Sequence, residues 1–203
     1  DLFIALDSAS PGNISGKETP QFPLPFRAIN IDHHPDNPMY GDINLVKKTA
    51  SCCEILFDLF EDMNLKITPR IATILYLGIY GDSGGFEYPE VSANTFLISS
   101  KIKQLGGDIL SIPHFLKAIS NNLLRVIGYC LHSSKDYFNS KIILTKISIE
   151  KFVELGIQAD QTAGINKIIA RYMNLSKDSA IVVVIYERKA GICGFSFRAD
   201  NPR

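Results

Sequence analysis

The sequence predicts an α/β protein in two parts: a parallel sheet with helices on both faces, followed by a smaller α/β unit. Three observations predict it. Two short apolar runs, "LFIAL" and "RAINI", each end at an acid, Asp7 and Asp32. Short runs with Phe and Ile suit buried strands of a parallel sheet, whose ligands gather beyond the carboxyl ends. Long apolar segments with helix caps come next. Past about residue 137 the order changes to strand, helix, helix and two strands. The expected division is therefore 1–136 and 137–203, with the boundary inside the polar stretch "HSSKDYFNS".

Between the first two runs lies "SASPGNISGKETPQFPLP", rich in Pro, Gly and Ser, which reads as loop with at most one helical turn. "SCCE" at 51–54 has the Ser-x-x-Glu form of a capping box. Behind it Cys53, Leu56, Phe60 and Met63, flanked by Cys52, Ile55 and Leu59, trace an apolar helical stripe. "TPRIATILYLGIYGD" offers Thr68 as cap, Pro69 at the first helical position and an almost wholly apolar body, the pattern of a central buried helix ending at Asp82. Segments 92–105, 108–118 and 120–135 also read as helices, the first stopped by Gly106-Gly107. In the second part "SKIILTKIS" reads as a strand, "IEKFVELG" and "QTAGINKIIARYM" as helices, and "SAIVVVIYERKAGICGFSFRA" as two β segments around a Lys-Ala-Gly turn.

Composition excludes some classes. The 203 residues are 46% hydrophobic and 21% charged, and 21 basic residues balance 21 acidic ones. Zero net charge argues against a broad electrostatic footprint on duplex nucleic acid. No run of 18 apolar residues is present, and the start "DLFIALDSAS" has no basic leader. Cys52, Cys53, Cys130 and Cys193 show no Cys-x-x-Cys spacing, so they read as thiols of a reducing, cytoplasmic compartment.

The chemistry-bearing residues are Asp7, Asp32, His33, His34 and Asp82. A divalent cation wants carboxylate and imidazole ligands on rigid elements, and Asp7, His33 and Asp82 could converge on one. If the strand continued, His34 would point away from His33, free to protonate a leaving oxygen or bind a phosphate. Asp32 would accept from a ligating imidazole and fix its tautomer. Taken singly, a His-His pair is a turn or partly buried surface feature, and an acid at a strand end is a cap. "GDSGGF" at 81–86 either brings backbone close to a phosphate or makes a tight turn, the turn being favoured. Arg198 in "GFSFRAD" is either a phosphate clamp or a surface arginine.

These stretches together resemble the DHH phosphoesterase superfamily, named for the motif at Asp32-His33-His34. "IALDSAS" is similar to its second motif, "INIDHHPDNPMYGDINLVKKTASCCEIL" matches well beyond the name residues, and "IATILYLGIYGDSGGF" is similar to the fourth motif. "GFSFRAD" resembles the strand ending Ser-x-Arg of the associated C-terminal substrate domain. Within the superfamily the chain looks most like the cytoplasmic branch that degrades very short RNAs and dephosphorylates 3'-phosphoadenosine 5'-phosphate.

The resemblance implies a manganese-dependent phosphodiesterase or phosphatase with two ions, magnesium or cobalt being alternatives. Asp7 would bridge the ions, with His33 and Asp82 completing one site. His34 would face the substrate phosphate, Asp32 would orient the cluster, and Arg198 would sit near a phosphate. Substrates would be short RNA, dinucleotides or a nucleoside bisphosphate, with no membrane partner; a homodimer is left open. Residues 1–136 would be the DHH domain and 137–203 the substrate domain. The family's first motif should precede Asp7 and a glycine-rich loop should follow Arg198. The expectation is thus a chain cut at both ends, with weak or no turnover from these 203 residues alone. Competing readings are an inorganic pyrophosphatase or polyphosphatase of the same superfamily, and a non-catalytic nucleotide-binding remnant.

Overall fold

The computed structural model describes residues 2–15, 27–158, 164–174 and 178–199. The chain divides into two compact units, 1–118 and 119–203. In the first, β1 (Leu2–Leu6), β2 (Arg27–Asp32) and β3 (Ile43–Val46) form an all-parallel sheet in that order, so the α/β expectation holds. The loop after β1 contains one short helix, α1 (Pro11–Ser15); the rest of that loop, 16–26, lies outside the described residues.

β2 alternates rather than being uniformly apolar. Ile29 and Ile31 join Leu45 of β3 against Cys52 and Ile55 of α2 (Cys52–Asp62). Asn30 and Asp32 are wholly buried on the opposite face, as the two-residue side-chain period requires. On that face Asn30 and Asp32 meet the Asn37 side chain, and Asn30 also meets Asn44. β3, four residues long, escaped the sequence reading because so short a run carries too little periodicity.

α2 starts at Ser51, whose side chain accepts the amide of Cys53. Its apolar stripe turns further round than expected: Phe57 is fully buried, while Met63 is 59% exposed. α3 (Pro69–Asp82) has the expected Thr68 cap and Pro69 start, and packs Ala72, Leu75, Tyr76, Ile79 and Tyr80 against Phe57 and against Ile98 and Ile102 of α4 (Ala93–Gln104). It is central but not buried all round, since Ile74 is 56% exposed. Gly78 sets the spacing of α2 and α3, because a Cβ there would collide with the Cys53 sulfur. α5 (Ser111–Lys117) follows a turn in which Asp108 accepts the amides of Leu110 and Ser111.

Glu54, in the first turn of α2, is 1% exposed. Its Oε1 accepts from the Ala50 amide and the Thr95 hydroxyl, while Oε2 has no partner among the described residues. Burial pushes its carboxyl up, against the pull of those two hydrogen bonds. An acid raised in the folded state stabilises most while protonated and loses that stabilisation as pH climbs from the unfolded carboxyl range through the folded value. Glu54→Gln copies the protonated form. As pH rises past the unfolded carboxyl value, its urea midpoint should fall less steeply than the parent's; equal slopes for both proteins would contradict this.

The second unit has a mixed sheet in the order β4 (Lys135–Tyr137), β5 (Ile142–Ile147), β6 (Ile181–Lys189), β7 (Ile192–Ala199). β5 and β6 run parallel, with α7 (Ile149–Glu154) and α8 (Ile165–Met173) between them in sequence; the outer pairs are antiparallel. The division falls earlier than residue 136. The reason is α6 (Asn121–His132), which buries Leu123, Val126, Ile127 and Cys130 in one core with Ile147, Phe152, Ile169, Val182 and Val184. An amphipathic helix belongs to the unit that takes its apolar face. The stretch expected as linker instead supplies β4, exposed throughout. No helix among the described residues is long and apolar enough to cross a membrane, and all four cysteines are free.

Candidate functional site

The site forms where β1 and β2 end. The Asp7 amide donates to the Ile31 carbonyl, continuing the β1–β2 pairing by one step, and then the backbone turns into the left-handed region, φ 54°. An Asp accepts this conformation more readily than most residues. The turn brings the Asp7 Oδ1 to 3.2 Å from Nε2 of His33.

His33 is oriented from its other side. Its Nδ1 lies 3.1 Å from the Thr49 carbonyl oxygen. A carbonyl can only accept, so Nδ1 carries a proton and Nε2 is the ring atom turned toward Asp7. With Nε2 unprotonated, that atom and the Asp7 carboxylate would be two acceptors facing each other across 3.2 Å. Such an arrangement is completed by a cation between them, and the donor set suits a divalent metal. Burial first, and the nearby Asp82 charge next, push the Asp7 carboxyl up, with both histidines pulling the other way.

Strand geometry stops at Asp32, so His34 does not swing to the far side. The two imidazoles meet edge to face at 4.6 Å between ring centres. One ligand-type atom each from Asp7, Asp32, His33 and His34 lies within 4.8 Å of all the others. The Asp32 carboxylate serves His34 rather than His33: Oδ1 is 2.8 Å from His34 Nδ1, and Oδ2 accepts from the Asn37 side chain at 2.6 Å. Burial opposes ionisation of Asp32, but the bonds from Asn37, His34 and the His33 amide together prevail and hold its carboxyl below the usual range. The hydrogen bond to Asp32 in turn raises His34 above the ordinary imidazole value, outweighing partial burial.

Behind this pair stands a ladder of amides that sequence reasoning missed. Asn30 Nδ2 donates to Asn37 Oδ1 at 2.8 Å and to Asn44 Oδ1 at 3.1 Å, and Asn37 also reaches the Ser8 carbonyl. A polar residue inside the apolar run "AINI" was the available signal.

Asp82 stands outside the four-residue set but close to it. Its Oδ2 accepts from the buried Ser51 hydroxyl at 2.9 Å, and it lines a cavity of about 280 Å³ together with His33, His34 and Lys48. The turn after it spends its amides internally: Gly84 on the Gly81 carbonyl, Gly85 on Tyr80, Phe86 on the Ser83 hydroxyl, Glu87 on the Ser83 carbonyl. Three consecutive positive φ values, at Gly84, Gly85 and Phe86, make it a tight turn and not a backbone cradle. Cys52 is no thiolate ligand, since burial pushes it up to about 12 and its thiol donates to the Ile31 carbonyl. Arg198 is on β7 of the second unit, opposite Val182 and exposed.

No family model matches the chain. It is 32% identical over 127 residues to the probable bifunctional oligoribonuclease and PAP phosphatase NrnA of Streptococcus mutans, covering 61% of this chain and 41% of that protein. To the bifunctional oligoribonuclease and PAP phosphatase NrnA of Bacillus subtilis it is 25% identical over 169 residues, covering 80% and 53%. To that of Thermus thermophilus it is 24% identical over 191 residues, covering 94% and 55%. The chain thus spans about half the length of the curated relatives it matches. A crystal structure of an exopolyphosphatase-related protein from Bacteroides fragilis shares the fold, with a TM-score of 0.82 at 23% identity over 99% of this chain and 59% of that one.

Proposed function

We propose, starting from this chain's kinship with the DHH phosphoesterases of the oligoribonuclease and PAP phosphatase kind, that it carries the metal and phosphate site of a hydrolase. Its substrates are short oligoribonucleotides, dinucleotides and 3'-phosphoadenosine 5'-phosphate. One observation carries the reading: Asp7 Oδ1 and Nε2 of His33, a ring oriented by the Thr49 carbonyl, face each other at 3.2 Å, a spacing two ligands of one cation would have.

Asp7, His33 and Asp82 would hold the metal, taken as manganese. When bound, such ions polarise phosphoryl oxygens and supply a nucleophile at neutral pH. The protein's own groups do the rest. Asp32, buried, accepts from Nδ1 of His34 and favours the protonated form of that ring. His34 then offers Nε2–H to a phosphoryl or leaving oxygen, as a general acid does. Asn37 fixes Asp32, so the pair keeps its geometry when the substrate's negative charge arrives. The second unit acts as the substrate domain, with Arg198 binding a phosphate by its guanidinium fork. The setting is cytoplasmic.

The test compares three substrates in the presence of manganese: a diribonucleotide, 3'-phosphoadenosine 5'-phosphate and inorganic pyrophosphate. Hydrolysis of the first two above the third is expected. Pyrophosphate cleaved in preference would favour the pyrophosphatase reading, and no turnover of any by the complete protein would favour a non-catalytic remnant.

A further inference from the structure

We infer that Tyr88 and Lys48 form a nucleotide subsite in the cavity beside His34, Tyr88 stacking on the nucleobase and Lys48 binding a neighbouring phosphate. This deepens the phosphoesterase reading and rests on it for the position of the reacting phosphate. Both residues line the cavity that holds His33, His34 and Asp82. Neither has a role in the metal centre.

Tyr88 is built to present a ring. It is 52% exposed, yet its backbone is tied on both sides: its amide donates to the Ser83 carbonyl at 3.1 Å and its carbonyl accepts from the Val91 amide at 3.1 Å. The ring rests against Gly84, where a Cβ would come within 2.7 Å of both Cε1 and Cζ. Gly84 also has φ 63°, so the turn both demands glycine and uses its missing side chain to seat the tyrosine. A half-exposed aromatic ring on a fixed turn at a cavity wall offers a π-face to any base, since stacking tolerates every base.

Lys48 supplies charge where it is needed. Asp82 and Glu90 make part of the wall acidic, and Lys48 is the only lysine or arginine among the described lining residues. It has no ion pair among the described residues, whereas its neighbour Lys47 lies 4.0 Å from Asp58. An unpaired ammonium on a long stem is a point charge available to a phosphate. The cavity, about 280 Å³, sits at the small end of ligand sites and suits one nucleotide unit rather than a polymer. The inferred ligand class is thus a nucleotide with a phosphate on each side of its ribose, not a bare phosphate chain.

Two probes separate the parts: 3'-phosphoadenosine 5'-phosphate and ribose 3,5-bisphosphate lacking the base. Each is measured by equilibrium binding and by kcat/KM with the manganese-loaded protein. Tyr88→Leu should weaken the base-bearing probe about tenfold and leave the base-less probe unchanged. Lys48→Gln should weaken both severalfold. Equal losses for both probes in Tyr88→Leu, or no loss in either variant, would overturn the subsite. A parent protein that binds the probes with the expected selectivity but hydrolyses neither would refute the hydrolase and keep the subsite; one that binds neither would refute the subsite.

Discussion

Removing His33 as alanine, or converting Asp7 to asparagine, is expected to eliminate manganese binding at the end of the sheet and to cut turnover by on the order of a thousandfold. Asp7 Oδ1 and His33 Nε2 lie 3.2 Å apart, so each would supply a ligand to the same cation. Asparagine is the informative choice at position 7. It copies the shape of aspartate, and it tolerates the left-handed backbone, φ 54°, that alanine would strain. A lost metal then reports on charge and ligand strength and not on a distorted turn. His33→Ala also leaves the Thr49 carbonyl without its imidazole partner, a loss water can repair because that side chain is only partly buried. Asp82→Asn should cost less, since its carboxylate lies outside the tight set and an amide oxygen can still accept from Ser51. Manganese titration by calorimetry, with circular dichroism to show that the fold survives, measures all three. Parent-like affinity in both Asp7→Asn and His33→Ala would remove the basis for a metal centre here.

The sequence made some of this legible because local rules sufficed. Ser51 and Thr68 cap their helices as short polar residues before apolar runs do, and the acids after β1 and β2 lie where parallel strands collect ligands. What stayed hidden depends on contacts between distant residues. Whether His34 turns toward or away from His33 hangs on where β2 stops, and the pleat ends at Asp32 because the chain there bends to bring Asn37 back onto that carboxylate. Which histidine Asp32 would serve could not be read either, because the competing acceptor for His33 is a main-chain carbonyl sixteen residues on. A carbonyl has no signature in a sequence. Likewise "HSSKDYFNS" looks like a linker by composition, and only the burial of Cys130 and Val126 shows that the helix before it belongs to the second core.

Asp32→Ala is expected to cost about 3 kcal/mol of folding stability, more than a surface substitution can. The carboxylate is fully buried and answers two donors, the Asn37 amide at 2.6 Å and the His34 ring at 2.8 Å. Deleting it takes the shortest of the Asn37 amide's bonds and leaves it the longer ones to the Ser8 carbonyl at 3.3 Å and Asn30 Oδ1 at 3.4 Å, in a buried ladder that also includes Asn44. The pair should also shape stability against pH, with opposite signs at its two ends. Asp32 is lowered in the folded protein, so its contribution is present above the unfolded carboxyl value, about 4, and is lost as pH falls through the folded one. His34 is raised, so its contribution is complete below the unfolded imidazole value, about 6.5, and is lost as pH rises through the folded one. The pair's contribution should therefore be greatest between those values, and Asp32→Ala should remove it from the profile. Asp32→Asn, which keeps the shape, separates the two roles: it should retain more stability than the alanine variant yet let the His34 titration fall, as followed by its ring proton resonances. If His34 titrates unchanged in Asp32→Asn, the carboxylate is only a structural strut, and the imidazole's readiness to donate a proton to phosphate must come from some other group.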